Sequence, residues 1–255
     1  MTESQEISQL AAEKIYQEWR LLKTPLEKHH YLYRLHDINP SLFCQLVQSH
    51  LMEMLPIIYT PTVGDAIEHY DPKVYRPAGI FLSYPEKNKM DDTLSRWPHQ
   101  KVDLIIVTDG EAILGIGDQG VGGINICVGK GMVYSLCANI HPDRILPVYL
   151  DVGTNNQKLL QNKNYSGWQH ERIDGKDYDD FIQLFIDAIK KKFPTALLHW
   201  EDFGNTHARN NLLRYRHRLP SFNDDMQGTG VVVLASILSA LKKINQPLIN
   251  QKIVI

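Results

Sequence analysis

The sequence predicts an α/β protein: a helical N-terminal part, then a mainly parallel, three-layer α/β sheet, cut off at the start of a Rossmann-type unit. Three observations predict it. Up to about residue 75, apolar residues recur at helical spacing. From about residue 78, short β-prone apolar runs alternate with helical runs, the pattern of a parallel sheet with helical crossovers. Finally, Lys252-Ile253-Val254-Ile255 reads as one more buried strand at the end of the sequence.

The elements follow in order. Residues 5–22 carry Ile7, Leu10, Ala11, Ile15 and Leu21 at roughly helical spacing, and a second helix is expected over 26–37. A third begins after Asn39-Pro40-Ser41, with proline in the first helical turn, and is expected to stop before Pro56. The expected strands are Gly79–Ser83, Val102–Val107, Ile145–Leu150, Ala196–Trp200 and Lys252–Ile255. The expected helices between them are 121–138, 177–193, 205–217 and 226–243. A first Rossmann strand is followed by a glycine-rich turn and a helix. No such turn follows Lys252–Ile255 within the sequence, so the chain reads as part of something longer.

With 255 residues, 43% hydrophobic and 22% charged, the chain has the composition of an ordinary globular protein with one large core or two smaller ones. A net charge of -2 gives no electrostatic case for nucleic acid. Lys190-Lys191-Lys192 closes a helical segment, where cations complement the helix dipole. Cys44, Cys127 and Cys137 are sparse and without a CxxC pair, against a disulfide framework or a zinc site. The N-terminus lacks the basic-then-apolar order of a signal peptide, and no run of about 18 apolar residues marks a membrane span. The expectation is a cytoplasmic protein without a membrane partner.

Two acid clusters carry the chemistry. Glu201-Asp202 follows the apolar run Ala196-Leu197-Leu198, and Asp224-Asp225 follows Leu219-Pro220-Ser221-Phe222. Adjacent acids at the ends of buried strands repel one another and lose hydration, a condition that a divalent cation or a cationic side chain relieves. Oxygen ligands without His or Cys select a hard ion such as Mg²⁺ or Mn²⁺. Lys130 lies within an apolar helix, flanked by Gly129 and Gly131. It either snorkels to water or is buried with a lowered pKa, and its flanking glycines in a chain with clustered acids favour a general base. Tyr59, in Ile57-Ile58-Tyr59-Thr60-Pro61-Thr62, is either a half-buried core tyrosine or a proton donor, with Thr60 or Thr62 available to cap the next helix.

Gly115-Ile116-Gly117-Asp118-Gln119-Gly120 matches GxGxxG and opens a helix, and Asp143 lies where a ribose-binding acid would sit. Asp118 would point a carboxylate into a loop meant for pyrophosphate, and Ile113-Leu114 reads as a hairpin with Val102–Val107 rather than a βα unit, so a nucleotide site is rejected here. Val128-Gly129-Lys130-Gly131 is no Walker A motif either, since glycine stands where Ser/Thr belongs.

Seven blocks resemble the malic enzymes in order and spacing: Tyr59-Thr60-Pro61-Thr62-Val63-Gly64, Val107-Thr108-Asp109-Gly110-Glu111, the Gly115–Gly120 loop, Val128-Gly129-Lys130, Leu150-Asp151-Val152-Gly153-Thr154-Asn155-Asn156, Glu201-Asp202-Phe203-Gly204-Asn205, and Phe222-Asn223-Asp224-Asp225-Met226-Gln227-Gly228-Thr229. The resemblance runs from about residue 26 to the end and extends to malolactic enzymes. It implies oxidative decarboxylation of (S)-malate to pyruvate and CO2 with NAD⁺ or NADP⁺. It implies Glu201, Asp202 and Asp225 as Mg²⁺ or Mn²⁺ ligands, with Asp225 also on the cofactor side. It implies Lys130 as the base that takes the C2 hydroxyl proton, Asp224 as its partner, and Tyr59 as the acid that protonates enolpyruvate. Residues 1–75 would be a helical N-terminal domain, 76–223 the first part of the catalytic domain, and 224–255 the incomplete start of the NAD-binding domain. A homodimer or tetramer through the helical part is also implied.

Two departures matter. The family usually has an arginine after Asp109-Gly110-Glu111, and here it is Ala112. The dinucleotide fingerprint, by resemblance, lies beyond Ile255, so the chain alone is expected not to reduce NAD⁺ with malate. Lactate rather than pyruvate would mark a malolactic enzyme. Metal binding without malate turnover would mark a non-catalytic fragment.

Overall fold

The computed structural model describes residues 3–113 and 115–254. The helical part comprises α1 (Glu3–Arg20), α2 (Pro25–Ile38), α3 (Pro40–Ser49), α4 (Leu51–Ile58) and α5 (Thr62–Glu68). Helix α2 starts on a capping box: the Thr24 hydroxyl accepts from Glu27 N–H at 3.1 Å while the Glu27 carboxylate accepts from Thr24 N–H at 3.0 Å. Asn39 caps α3 by accepting from Leu42 N–H at 3.1 Å. The third expected helix is in fact two, broken at His50, and the second runs through Pro56 to Ile58. The carbonyl that Pro56 leaves without an intrahelical donor belongs to Met52, on the exposed side where water can reach it. Neither Thr60 nor Thr62 caps α5, which starts from Pro61 without a side-chain cap.

Trp19, Tyr33, Phe43 and Met54 are fully buried at the centre of this helical part, together with Val128 and Met132 of α7 (Ile124–Ala138). Burying side chains of this size contributes about 1.5–3 kcal/mol each. Helix α7 therefore belongs to two cores at once. The stretch Gly120–Ala138 is long and apolar enough to cross a membrane by length and composition, but 67% of it is buried inside the fold.

The sheet contains β1 (Ile80–Ser83), β2 (Leu104–Thr108), β3 (Ile145–Asp151), β4 (Leu197–Trp200) and β5 (Ser221–Asn223), in the order β1-β3-β2-β4-β5, all parallel. Alternate strand residues face opposite layers. Ile105, Val107, Leu146 and Val148 pack on α9 (Gly175–Lys192), with α6 (Met90–Ser95) and α10 (Asn205–Tyr215) on the same side. Leu104, Ile106, Ile145 and Tyr149 pack on α5 and α7. This is the expected three-layer α/β arrangement. After β3, the short helix α8 (Gln157–Leu160) leads into the loop before α9.

Several expectations fail locally. Ile113 bridges only to Gly117, and β2 is paired on both sides by β3 and β4, so the hairpin with Val102–Val107 does not form; Leu114 lies outside the described residues. Ser221–Asn223, read from sequence only as an apolar run, is a strand. Residues 252–254 are not a strand here, and Ile255 lies outside the described residues. A run this short needs a neighbouring strand to pair with, and among the described residues the sheet ends at β5. Between β5 and α11 (Thr229–Lys243), Asp224–Gly228 forms a π-turn.

Candidate active site

Because the strands are parallel, their carboxyl ends share one rim. From β2 the chain returns to β3, and from β4 it goes the other way to β5. Such a divergence opens a crevice between β2 and β4, where open α/β sheets bind ligands. Glu201 and Asp202 immediately follow β4, Asp224 and Asp225 immediately follow β5, and the loop after β2 closes the other side.

Residues 201 and 202 would face opposite ways on a regular strand. The chain avoids this at Asp202, whose φ is +53°, a left-handed conformation uncommon for a non-glycine residue. Its N–H donates to the Asp225 carboxylate at 2.8 Å and its carbonyl accepts from Ala112 N–H at 3.2 Å. The turn brings one carboxylate oxygen each from Glu201, Asp202 and Asp225 within 4.8 Å of one another. Asn223 sets up the β5 side by accepting from Met226 N–H at 2.9 Å. Gly228 completes it: a Cβ there would lie 2.1 Å from an Asp224 carboxylate oxygen, so only glycine lets that carboxylate fold back over the π-turn.

Lys130 reaches the same place from α7. Its Nζ lies 2.8 Å from Asp224 and 2.9 Å from Glu201 Oε1. Glycine at 129 is required by packing, because a Cβ would lie 2.7 Å from the Tyr33 hydroxyl and 3.1 Å from the Tyr59 ring. That close approach sets Tyr59 beside the lysine. The Tyr59 hydroxyl donates to Glu201 Oε1 at 3.0 Å, and Lys130 Nζ lies 5.0 Å from the Tyr59 ring centroid. Tyr59 and Lys130 thus meet on one carboxylate oxygen, rather than facing each other across the cleft as a simple acid-and-base arrangement suggests.

The electrostatics overturn one expectation. Burial alone would lower the Lys130 pKa, but the Glu201 charge and the Asp224 hydrogen bond outweigh it and hold Lys130 above the ordinary lysine value. The lysine is a firm cation here, not one with a lowered pKa. Burial, reinforced by Glu201, likewise holds the Tyr59 phenol above its usual value. Burial works against an ionised Glu201, yet His199 and Lys130 keep it below the ordinary carboxylate range. Asp225 is open to solvent on one side and packed against Glu201 on the other; partial burial and that neighbouring charge push it up.

All six residues singled out in the sequence, Tyr59, Lys130, Glu201, Asp202, Asp224 and Asp225, meet at this point. The donor set fits a hard divalent cation: three carboxylates, no thiolate, and more negative charge than Lys130 offsets. Sequence reasoning missed His199. It is fully buried, with Nε2 on Glu201 Oε2 and Nδ1 2.9 Å from the Tyr134 hydroxyl. Its position two residues before Glu201 on a strand was the available signal, since i and i+2 share a face.

The Gly115–Gly120 loop is occupied by its own side chain. Asp118 accepts from Arg172 Nε (2.7 Å), Asn155 N–H (2.8 Å), the Thr154 hydroxyl (2.8 Å) and Gly120 N–H (3.0 Å). Arg172, a second residue the sequence did not flag, also donates to the Asp109 carbonyl at 2.7 Å. The loop's inward side is therefore anionic and closed, which does not fit a pyrophosphate.

A family profile described as "Malic enzyme, N-terminal domain" matches residues 36–216. The NAD-dependent malic enzyme of Pseudomonas savastanoi pv. phaseolicola is 48% identical over 242 residues, 94% of this chain and 43% of that protein. The mitochondrial NAD-dependent malic enzyme of Saccharomyces cerevisiae is 48% identical over 244 residues, 95% of this chain and 36% of that protein. That of Vibrio parahaemolyticus is 45% identical over 253 residues, 99% of this chain and 45% of that protein. The chain thus spans less than half the length of these curated relatives. With 36–216 matched over well more than half of the sequence, the chain belongs to the malic enzyme family.

Proposed function

We propose that this chain supplies the acid–base and metal-binding half of an NAD-linked malic enzyme, which converts (S)-malate to pyruvate and CO2. The observation that carries the reading is the convergence of Lys130, Tyr59 and the three carboxylates on Glu201 at a sheet switch point. Glu201, Asp202 and Asp225 would hold Mg²⁺ or Mn²⁺. Such an ion, when bound, supplies positive charge against the carboxylates and a Lewis acid for the C1 carboxylate and C2 oxygen of malate. Glu201 and Asp224 favour the cation of Lys130 and hold the proton on Nζ. Offsetting their charge frees it to accept the C2 hydroxyl proton, with Asp224 keeping Nζ in place. Tyr59, whose phenol is held protonated, is the donor to the enolpyruvate carbon.

The described residues offer no pyrophosphate cradle in the Gly115–Gly120 loop, so the redox step is assigned to the rest of the protein. The printed names of the relatives favour NAD⁺ over NADP⁺. The free cysteines Cys44, Cys127 and Cys137 support a reducing, cytoplasmic setting. Exposed Leu10, Leu21, Ile38 and Met52 on the helical part support a homo-oligomer.

The test is a chimera in which this chain replaces the matching region of the Pseudomonas protein, assayed with (S)-malate, Mn²⁺ and NAD⁺. Pyruvate and NADH are expected, with Lys130→Ala inactive and the 255-residue chain alone inactive. Lactate without net NADH would assign the malolactic reaction, and an active Lys130→Ala would remove the lysine from the chemistry.

A further inference from the structure

We infer that His199, itself fixed by Tyr134, is the positioning residue that sets the Glu201 carboxylate for cation binding. The inference rests on the metal-site reading above and adds to it a support that no motif contains.

The geometry is specific. His199 is fully buried in β4, where its ring stands edge-on to Phe222 at a centroid distance of 4.6 Å. Its Nε2 meets Glu201 Oε2, and its Nδ1 lies 2.9 Å from the Tyr134 hydroxyl. An ionised carboxylate can only accept, so Nε2 carries the proton that points at Glu201. The other ring nitrogen, Nδ1, is held by the Tyr134 hydroxyl, which can donate to it or accept from it. The two contacts together fix the ring's orientation, with both nitrogens engaged and Nε2 aimed at Glu201.

The consequence falls on Glu201. The terminal torsion of a glutamate is broad and poorly defined by packing alone. Oε1 is already used by the Tyr59 hydroxyl at 3.0 Å and Lys130 Nζ at 2.9 Å, both mobile participants in the proposed chemistry. His199 on Oε2 is the contact that does not belong to that chemistry. It stops the carboxylate from rotating when Lys130 and Tyr59 change partners. Hydrogen-bonded supports of this kind set the affinity of metal-ligating side chains. A His199 that merely filled the core would need the ring's volume and nothing from Tyr134.

The experiment measures Mn²⁺ affinity of the 255-residue chain by titration calorimetry and by the electron paramagnetic resonance signal of free Mn²⁺. His199→Leu is expected to weaken Mn²⁺ about 10- to 100-fold. His199→Gln, which keeps an N–H in reach of Glu201, is expected to recover most of that loss. Tyr134→Phe is expected to weaken Mn²⁺ several-fold in the wild-type background and to have no effect in His199→Gln. Should His199→Leu fail to fold by circular dichroism, the Tyr134→Phe and His199→Gln pair decides on its own. Equal effects of Tyr134→Phe in both backgrounds overturn the proposal. So does Mn²⁺ binding that Asp225→Asn abolishes while His199→Leu leaves it intact; that result spares the metal site. A wild-type chain that takes up no Mn²⁺ overturns the metal reading and this proposal with it.

Discussion

Two charged clusters lie along the same rim of the sheet and are built in opposite ways. Around Arg172, both oxygens of Asp118 and both oxygens of Asp109 accept hydrogen bonds, from the guanidinium, Thr154, Tyr178 and backbone N–H groups. Around Lys130, Glu201 and Asp224 both contact the ammonium, and Asp202 and Asp225 gather beside Glu201. The first cluster supplies donors to all four carboxylate oxygens of Asp109 and Asp118 from within the chain and ties a loop to the sheet. The second carries surplus negative charge in a crevice, which is the condition that calls for a ligand. What separates the two clusters is how many acids crowd around one cation, more than which motif the residues belong to.

The largest expected effect tests the closed cluster. Arg172→Leu leaves Asp109 and Asp118 as buried acids without their cation. Breaking such a pair by removing one partner costs roughly 3–5 kcal/mol. Urea denaturation should show that loss, while the folded fraction keeps its Mn²⁺ affinity. Weakened Mn²⁺ binding with unchanged stability would mean that the two clusters are one.

The open cluster should respond the other way. Asp225→Asn removes a ligand and is expected to weaken Mn²⁺ by at least about 100-fold, equivalent to about 2.7 kcal/mol. The metal-free stability should hold or rise, since one uncompensated charge beside Glu201 has gone. A metal-free protein strongly destabilised by Asp225→Asn would show that the cluster balances without an ion.

Much of this contrast was legible in the sequence. The acids at 201–202 and 224–225, Lys130 and Tyr59 stand in local patterns that mark strand ends and a glycine-flanked helix. The closed cluster was not legible, because Asp118 and Arg172 are 54 residues apart and only the fold joins them. Their loop instead imitated a dinucleotide motif. Nor could sequence foresee the raised pKa of Lys130, which depends on Glu201 across 71 residues. The terminal run Lys252–Val254 shows the opposite limit: β-propensity without a pairing partner makes no strand.

Asp225 and Asp118 should also part on acidification of the metal-free chain. Asp225 has a folded pKa raised above its unfolded value of about 3.9, so its charge is unfavourable to folding at neutral pH. As pH falls from that raised value to about 3.9, the folded state takes up the proton first and regains stability. Asp118 is shifted down: burial opposes the charge, but the Arg172 pairing prevails. Its contribution is present above about 3.9 and is lost as pH falls through its lowered value. Stability of wild type minus that of Asp225→Asn, measured by urea titration from pH 7 to pH 4, should therefore rise toward acid. A flat difference would place Asp225 outside the repelling set.

The smallest expected difference compares the same chemical change in each cluster. Tyr178 donates to Asp109 at 2.9 Å and Tyr59 donates to Glu201 at 3.0 Å, so each Tyr→Phe removes one hydroxyl from one buried carboxylate. A hydrogen bond to a charged group contributes about 1.5–3 kcal/mol. Tyr178→Phe should lose an amount in that range, because Asp109 is fully buried and Tyr178 is the hydroxyl on its Oδ2. Tyr59→Phe should lose less, about 1 kcal/mol or under, because Lys130 Nζ stays 2.9 Å from the same Glu201 oxygen and takes over the acceptor. The two variants are compared by urea midpoint in metal-free buffer and again with saturating Mn²⁺. Added Mn²⁺ should narrow the Tyr59→Phe loss further and leave the Tyr178→Phe loss unchanged, since Glu201 and not Asp109 belongs to the proposed ligand set. Equal losses, or a Tyr178→Phe loss that Mn²⁺ repairs, would mean that the closed cluster shares in the ion's field and that the division between the two is drawn in the wrong place.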